Sequence, residues 1–133
     1  MKLTTFTDGG SRGNPGPSAI GVVIKNQKNE IVFQLGKCIG HGTNNEAEYL
    51  ALIEALKNAY ALGATEVECI MDSKLVAEQL NRNWKIKEPR LQKLFVEAWN
   101  AAAKFKKTVF RQVPRELNKE PDKLLNKALD GKL

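Results

Sequence analysis

The stretch from Phe6 to Ile24, FTDGGSRGNPGPSAIGVVI, constrains the fold more than any other part of the chain. A short apolar run ends in Asp8, a loop of Gly, Ser, Asn and Pro follows, and a second apolar run closes the segment. Strand, tight loop, strand is the simplest interpretation. Four loop glycines allow a partner to approach the main chain, and two prolines stiffen the loop. Asp8 is therefore predicted at a strand end beside a rigid loop with exposed amides; alternatively, it only initiates the turn of an ordinary hairpin.

The chain has 133 residues and a formal net charge of +6. This charge is uneven, because residues 1–73 hold six Lys/Arg and eight Asp/Glu (net −2), whereas residues 74–133 hold fifteen and seven (net +8). The basic half suggests a polyanionic partner with phosphates, although a lysine-rich surface also serves solubility alone. The length predicts one domain over residues 1–133 with a real core.

No apolar run approaches the roughly 20 residues of a membrane span, and MKLTTFTDGG lacks the apolar core of a signal peptide. Cys38 and Cys69 lie in apolar contexts, which favours reduced thiols over a disulfide. Two cysteines and one histidine at wide spacing make no zinc site. The protein is expected to be cytoplasmic and monomeric, without a membrane partner.

The hydrophobic pattern predicts an α/β fold. Strands are predicted at residues 2–8, 18–26, 30–40, 66–72 and 107–113, and helices at 43–62, 73–81, 89–105 and 120–131. Thr43 and Glu46 have the spacing of a capping box, and Gly63 is a natural helix stop. An antiparallel meander followed by strand–helix units implies a five-stranded mixed sheet with helices on both faces, in which strand one lies parallel to strand four.

Four acidic residues converge in this layout. Asp8 and Asp72 end neighbouring parallel strands, where open α/β sheets bind ligands. Glu48 falls on the apolar side of the long helix, where a carboxylate is costly unless paired or bound to metal. Asp122 lies in the first turn of the last helix. The alternatives are that Glu48 only favours the helix dipole and that Asp72 only caps the following helix.

The segments around the four acidic residues are similar to those of a known family. The chain resembles type 1 ribonuclease H in its compact form, without the basic protrusion of some members. The matching pieces are FTDGGSRGNPGP around Asp8, TNNEAEYLALIEAL around Glu48, MDSKLVAEQL around Asp72 and VPRELNKEPDKLLNKALD around Asp122. They stand in the family's order and at its spacing.

The resemblance implies an endonuclease that hydrolyses the RNA strand of RNA–DNA hybrids, giving 3′-hydroxyl and 5′-phosphate ends. It implies that the same four carboxylates are catalytic and hold two Mg²⁺ ions, with Mn²⁺ as a substitute. Elementary chemistry agrees, because crowded carboxylates repel each other and hard divalent cations relieve that repulsion. Two ions suit an in-line displacement at phosphorus.

The resemblance also implies substrate contacts. Main-chain groups of Gly9, Gly10 and Ser11 would contact ribose 2′-hydroxyls, which distinguish RNA from DNA. Phosphate and minor-groove contacts are implied at Asn14, Thr43, Asn44 and Asn45, and DNA-strand contacts at Trp84 and Lys85. Thr43 and Asn44 can also serve as helix caps, and Trp84 can instead be a core residue.

The chain departs from the family pattern at two points. Many members carry a histidine in the loop before the last carboxylate, whereas VPRELNKEPD has none. Arg115 occupies this region and can neutralise charge on the leaving phosphate, or it is a surface residue. Lys74 stands where other members have a base-contacting Gln. Two alternatives remain open: a non-catalytic module that binds hybrid or double-stranded RNA, and an enzyme that also cuts double-stranded RNA.

Overall fold

The structure is a computed structural model that describes residues 1–133. The chain forms five strands and four α-helices. In order they are β1 (Lys2–Ser11), β2 (Gly16–Lys25), β3 (Ile31–Gly42), α1 (Asn44–Ala61), β4 (Glu66–Met71), α2 (Lys74–Leu80), α3 (Pro89–Ala102), β5 (Lys107–Gln112), a 3₁₀ turn (Arg115–Leu117) and α4 (Lys119–Leu129). None of the helices combines the length and apolar character that crossing a bilayer requires.

The strands form one sheet in the order β3-β2-β1-β4-β5. The first three pair antiparallel, while β1 pairs parallel with β4, and β4 with β5. The predicted mixed sheet is therefore confirmed, with β1 at its centre. The carboxyl ends of β1, β4 and β5 all reach the same edge, where ligands bind in open α/β sheets.

The glycine-rich loop is shorter than predicted. β1 continues through Gly10 to Ser11 and β2 begins at Gly16, so that only residues 12–15 connect them. Gly9, Gly10 and Gly16 join the ladder, with Gly10 opposite Ala19, whereas Gly13 stays in the loop with a positive φ of 87°. β3 likewise reaches Gly42, beyond the predicted end at residue 40. Pairing with a neighbouring strand, which local composition does not reveal, overrides the turn tendency of glycine.

Helix boundaries agree closely with local signals. Thr43 caps α1: its Oγ1 accepts from the Glu46 N–H at 3.2 Å, and the Glu46 carboxylate accepts from the Thr43 N–H at 3.0 Å. The predicted capping box is thus confirmed. Ser73, and not Asp72, caps α2 by accepting from the Val76 N–H at 3.2 Å. The capping alternative for Asp72 is therefore wrong.

Two hydrophobic layers cover the sheet on opposite sides. Val22 and Ile24 pack with α1 and α3 in the large core, which also contains Leu52 and Leu56. Ala19 instead packs with Leu125 and Ala128 of α4 in a smaller cluster, from the opposite face of the same strand. The helices therefore flank both faces, as predicted.

Two glycines set how closely these helices approach. A Cβ at Gly9 would overlap the backbone of Ala47 in the first turn of α1. A Cβ at Gly21 would overlap the carbonyl oxygen of Pro121 in the first turn of α4. Gly9 follows Asp8 on β1, and Gly21 lies directly opposite Asp8 on β2. Both helix N-termini are consequently held against the sheet beside the same carboxylate.

Candidate active site

Asp8 and Asp72 lie level with each other at the sheet edge. The parallel ladder pairs Phe6 with Ile70, and each acid follows two residues later, Asp8 within β1 and Asp72 directly after the end of β4. Asp8 is buried, with 7% of its surface exposed, and Asp72 is half-buried. The two carboxylates therefore meet because the strands are parallel and in this register.

Glu48 comes to the same point from α1. It is buried, with 9% of its surface exposed, and its Oε1 accepts a hydrogen bond of 2.7 Å from the Gly9 N–H. The close contact of α1 with Gly9 makes this bond possible. Ligand oxygens of Asp8, Glu48 and Asp72 all lie within 4.8 Å of one another.

Asp122 lies in the first turn of α4 and lines the same cavity, which has a volume of about 430 Å³. It lies outside the group of three acids whose oxygens are all within 4.8 Å of one another, but it shares a side-chain hydrogen bond with Asp8. Asn126 lies one turn later on α4. Its Nδ2 donates to the Asp122 main-chain carbonyl oxygen at 2.9 Å and to Asp122 Oδ1 at 3.4 Å. The structure thus brings all four predicted carboxylates to one cavity, with three in mutual contact range.

Burial and crowding disfavour ionisation of this group. Burial, reinforced by the charges of Asp72 and Asp122, raises the pKa of Asp8 to about 7, although a hydrogen bond with Glu48 opposes the rise. Burial and the neighbouring Asp8 raise the pKa of Glu48 well above its usual range. Burial also raises the pKa of Asp72, against the hydrogen bond from Asn118 and the positive charge of Arg115. The cluster therefore favours a compensating positive charge.

The donor set fits a hard divalent cation. Every candidate ligand is a carboxylate oxygen, with no imidazole or thiolate in the cavity lining. Mg²⁺ and Mn²⁺ prefer such donors, completed by water and substrate phosphate. A cavity that opens to solvent leaves room for those further ligands.

Asn118 joins three segments of the site, and sequence reasoning missed it. The residue is 1% exposed, and its Nδ2 donates to the Thr7 carbonyl oxygen at 2.8 Å and to Asp72 Oδ2 at 3.4 Å. It immediately precedes α4, so it connects β1, the end of β4 and the helix that carries Asp122. Its Oδ1 has no partner. The only sequence signal for Asn118 is that it is a polar residue four positions before the candidate ligand Asp122.

The predicted 2′-hydroxyl contacts, Gly9, Gly10 and Ser11, line the cavity together with Asn44 and Arg115. However, the prediction of exposed amides is wrong at two positions. The Gly9 N–H donates to Glu48, and the Ser11 N–H donates to Asn44 Oδ1 at 2.8 Å. Side chains of α1 thus satisfy both amides.

Asn14, Thr43 and Asn45 lie next to the cavity without lining it. Asn14 Oδ1 accepts from the Asn44 N–H at 3.0 Å and so fastens the β1–β2 loop to the start of α1. Thr43 caps that helix, and Asn45 is half-buried in its first turn. Asn14 and Thr43 therefore have structural roles, and the parts of their side chains that remain exposed can still contact a ligand.

Lys74, Trp84 and Lys85 belong to a neighbouring surface. Trp84 and Lys85 line a second concavity that also contains Arg82 and Trp99, and the Lys74 Nζ lies 5.9 Å from the centroid of the Trp84 ring. Trp84 is 44% exposed, so the core alternative for this residue is wrong. Lys74 follows Asp72 by two residues and connects the two surfaces.

Comparison with known proteins gives consistent matches. Residues 6–128 match the family described as reverse transcriptase-like. The chain is 47% identical over 132 residues to the bifunctional protein Rv2228c of Mycobacterium tuberculosis; the match covers 98% of this chain and 36% of that protein. RNase H1 of the halophilic archaeon Halobacterium salinarum superposes with a TM-score of 0.96 at 40% identity, covering 98% of this chain and 99% of that one.

LC11-RNase H1, whose structure was solved in complex with an RNA/DNA hybrid, superposes with a TM-score of 0.92 at 40% identity and covers 97% of both chains. The chain spans 36% of the mycobacterial relative but nearly all of these two solved RNase H1 chains. Because these matches at 40% identity cover 97–98% of the chain, the chain belongs to the type 1 ribonuclease H family.

Proposed function

We propose that this protein is a divalent-metal-dependent endoribonuclease that hydrolyses the RNA strand of RNA–DNA hybrids, leaving 3′-hydroxyl and 5′-phosphate ends. The observation that carries the proposal is the group of three buried carboxylates within 4.8 Å, with Asp122 in the same cavity. The substrate class is supported by LC11-RNase H1, a relative whose structure was solved in complex with such a hybrid.

The proposed cofactor is a pair of Mg²⁺ ions, with Mn²⁺ as a substitute, held by Asp8, Glu48, Asp72 and Asp122. Such ions, when bound, activate a water and stabilise the leaving 3′ oxygen. Asp8 would be the central ligand residue, because it lies on the central strand and is electrostatically linked to the other three acids. Glu48 is oriented by the Gly9 N–H, which fixes one of its oxygens.

Arg115 is proposed to balance charge on the leaving phosphate. It lines the cavity, and its positive charge opposes the burial-driven rise in the pKa of Asp72, so it lies within electrostatic reach of the acid cluster. A guanidinium binds phosphate oxygens in two-point geometry. The single histidine, His41, is exposed near the end of β3 and is no substitute for the histidine that many relatives carry.

The surrounding residues are proposed to bind the two strands. Main-chain groups of Gly9, Gly10 and Ser11 would contact 2′-hydroxyls, and Asn14 and the Thr43–Asn45 segment would hold phosphate or reach the minor groove. Trp84 and Lys85 would contact the DNA strand, and Lys74 would replace the base-contacting Gln of other members. Exposed aromatic rings beside cations suit this task, since they stack on sugars or bases. We also propose a cytosolic monomer, in keeping with two unpaired cysteines.

Cleavage of an end-labelled hybrid tests the function. We expect cutting of the RNA strand with Mg²⁺ or Mn²⁺, none with EDTA, and a loss of at least about 100-fold in Asp8→Asn and Asp72→Asn, as expected when a group that acts directly on the transition state is removed. Glu97→Gln, at an exposed carboxylate paired with Lys57 on another face, is the matched control. Metal-independent cutting, or undiminished cutting by both acid variants, would contradict the proposal.

Two alternatives have their own signatures. A non-catalytic binding module rests only on the basic half and the missing histidine, and four acids kept for binding alone would repel phosphates. Such a module would bind hybrid in a salt-dependent manner without turnover at any metal concentration. Activity on double-stranded RNA is tested by comparing cleavage rates on matched hybrid and RNA–RNA duplexes. Equal rates would widen the proposed substrate class.

A further inference from the structure

Only two cations, Arg12 and Arg115, line the cavity of the four acids. Arg115 acts on Asp72. Arg12 instead forms an ion pair of 2.6 Å with Asp130, and neither residue has a role in the function proposed above, on which this inference rests. Arg12 is therefore a cation at the acidic cavity whose present partner is a carboxylate outside it.

The backbone around Arg12 is fixed while its side chain is free to move. The Arg12 N–H donates to the Pro17 carbonyl oxygen at 2.8 Å, and the preceding Ser11 N–H donates to Asn44 Oδ1 at 2.8 Å. A Cβ at Gly16 would overlap the Arg12 carbonyl oxygen, so the loop is closely packed on itself. The Arg12 side chain, by contrast, is 49% exposed. The guanidinium can thus move from one partner to another about a fixed base.

Asp130 is an exchangeable partner. It caps the C-terminal end of α4, and its side chain is 40% exposed. Exposed ion pairs contribute little to stability, because both ions remain hydrated and screened. A phosphodiester presents two anionic oxygens to the same planar donor fork that now holds the carboxylate. A phosphate can therefore replace Asp130 without loss of a buried contact.

Position along α4 indicates which phosphate this would be. Asp122 and Asp130 are eight residues apart, which corresponds to about 12 Å along the helix at roughly 1.5 Å per residue. Successive nucleotides of a duplex strand rise by only about 3.4 Å. A phosphate held near Asp130 is therefore a few nucleotides away from the one that is cleaved.

We propose that Arg12 binds a non-scissile phosphate of the RNA strand, and that Asp130 holds the Arg12 guanidinium in the free protein until this phosphate replaces its carboxylate. Arg12 is then a binding residue, and Asp130 is a competitor of the substrate. The two partners of one ion pair have opposite effects on affinity.

Hybrid affinity tests this directly. A fluorescent hybrid is titrated in Ca²⁺ to measure Kd, and steady-state cleavage in Mg²⁺ gives KM and kcat. We expect Arg12→Ala to weaken binding about 5- to 20-fold, with the larger effect on KM, and Asp130→Asn to tighten it about 2- to 5-fold. The double variant is expected to match Arg12→Ala. The slope of log Kd against log salt falls by about one in Arg12→Ala. Glu97→Gln, which breaks the remote pair with Lys57, is the control.

The outcomes are distinct. A merely structural ion pair predicts that Arg12→Ala and Asp130→Asn weaken binding alike, because each breaks the same link between the loop and α4; that result overturns the proposal. Unchanged affinity in Arg12→Ala overturns it as well, while wild-type cleavage still supports the nuclease. A wild-type protein that binds hybrid without cleaving it refutes the proposed function and leaves the Kd comparison valid. Absence of hybrid binding overturns both.

Discussion

Replacing Asp8 by Asn is expected to stabilise the metal-free protein. Asp8 is 7% exposed, and burial beside other acids raises its pKa from 3.8 to about 7. Between these values the native state keeps a proton that the unfolded chain has lost. The free energy of unfolding therefore falls as pH rises from about 4 to about 7, by up to roughly 1.4 kcal/mol per pH unit, and levels off above.

The size of the effect follows from the shift. A difference of about three pKa units corresponds to a loss of about 4 kcal/mol in the free energy of unfolding at pH 8. This is an upper value, because water and the Glu48 carboxyl group also interact with the Asp8 carboxyl group. Asn has the same shape as Asp and carries no charge to desolvate. We expect Asp8→Asn to raise the free energy of unfolding by close to zero at pH 4 and by about 2 to 4 kcal/mol at pH 8.

Urea denaturation in EDTA at pH 4.5, 6 and 8 measures this gain, with Glu97→Gln as an exposed-carboxylate control. Added Mg²⁺ is expected to narrow the difference, since a cation that binds the native wild type stabilises it. The prediction is wrong if Asp8→Asn is less stable than wild type at pH 8, or if the difference in free energy of unfolding is the same at every pH. Either result would mean that burial does not destabilise the ionised Asp8 carboxylate.

Three further predictions concern the site's supports. Gly21→Ala is expected to destabilise the protein by about 1 to 3 kcal/mol and to reduce kcat, because the new methyl group pushes α4 outwards. Gly42→Ala is the control, since a Cβ there would find ordinary contacts at 3.6 Å. Equal melting temperatures for the two variants would contradict this prediction. Asn118→Ala is expected to cost about 1 to 3 kcal/mol by leaving the buried Thr7 carbonyl unpaired. Asn81→Ala, which loses a more exposed bond of 3.2 Å, is its control in the same chemical denaturation, and an equal loss would contradict the buried-bond argument. Mn²⁺ or Mg²⁺ is expected to raise Tm in wild type and much less in Asp8→Asn, as measured by thermal unfolding; identical shifts would locate the bound cation elsewhere.

Local sequence signals predicted the helices and the sheet order well. The Thr43 capping box acts over four residues, and the helical crossover through α1 explains why β4 runs parallel to β1. These rules suffice to bring Asp8 and Asp72 together. Glu48 was identified because a carboxylate on an apolar helix face demands an explanation.

Other features depend on pairs that are remote in the chain. The extension of β1 through its glycines reflects pairing with β2, and the exposure of Trp84 reflects how α2 and α3 leave a concavity open. Asn118 reaches Thr7 across 111 positions, and Arg12 pairs with Asp130 across 118. No local pattern distinguishes these residues from ordinary polar surface, so only the assembled fold reveals them.

The two glycines that seat the helix ends, Gly9 and Gly21, also make the acid cluster adjustable. Each helix carries one carboxylate towards the sheet edge, and its close approach to the sheet requires glycine opposite it: Gly9 for α1, and Gly21 together with Gly36 for α4. Substituting one glycine would displace Glu48 or Asp122 while leaving the two strand-borne acids where they are. The protein is thus a scaffold on which ligand spacing can be tuned one carboxylate at a time.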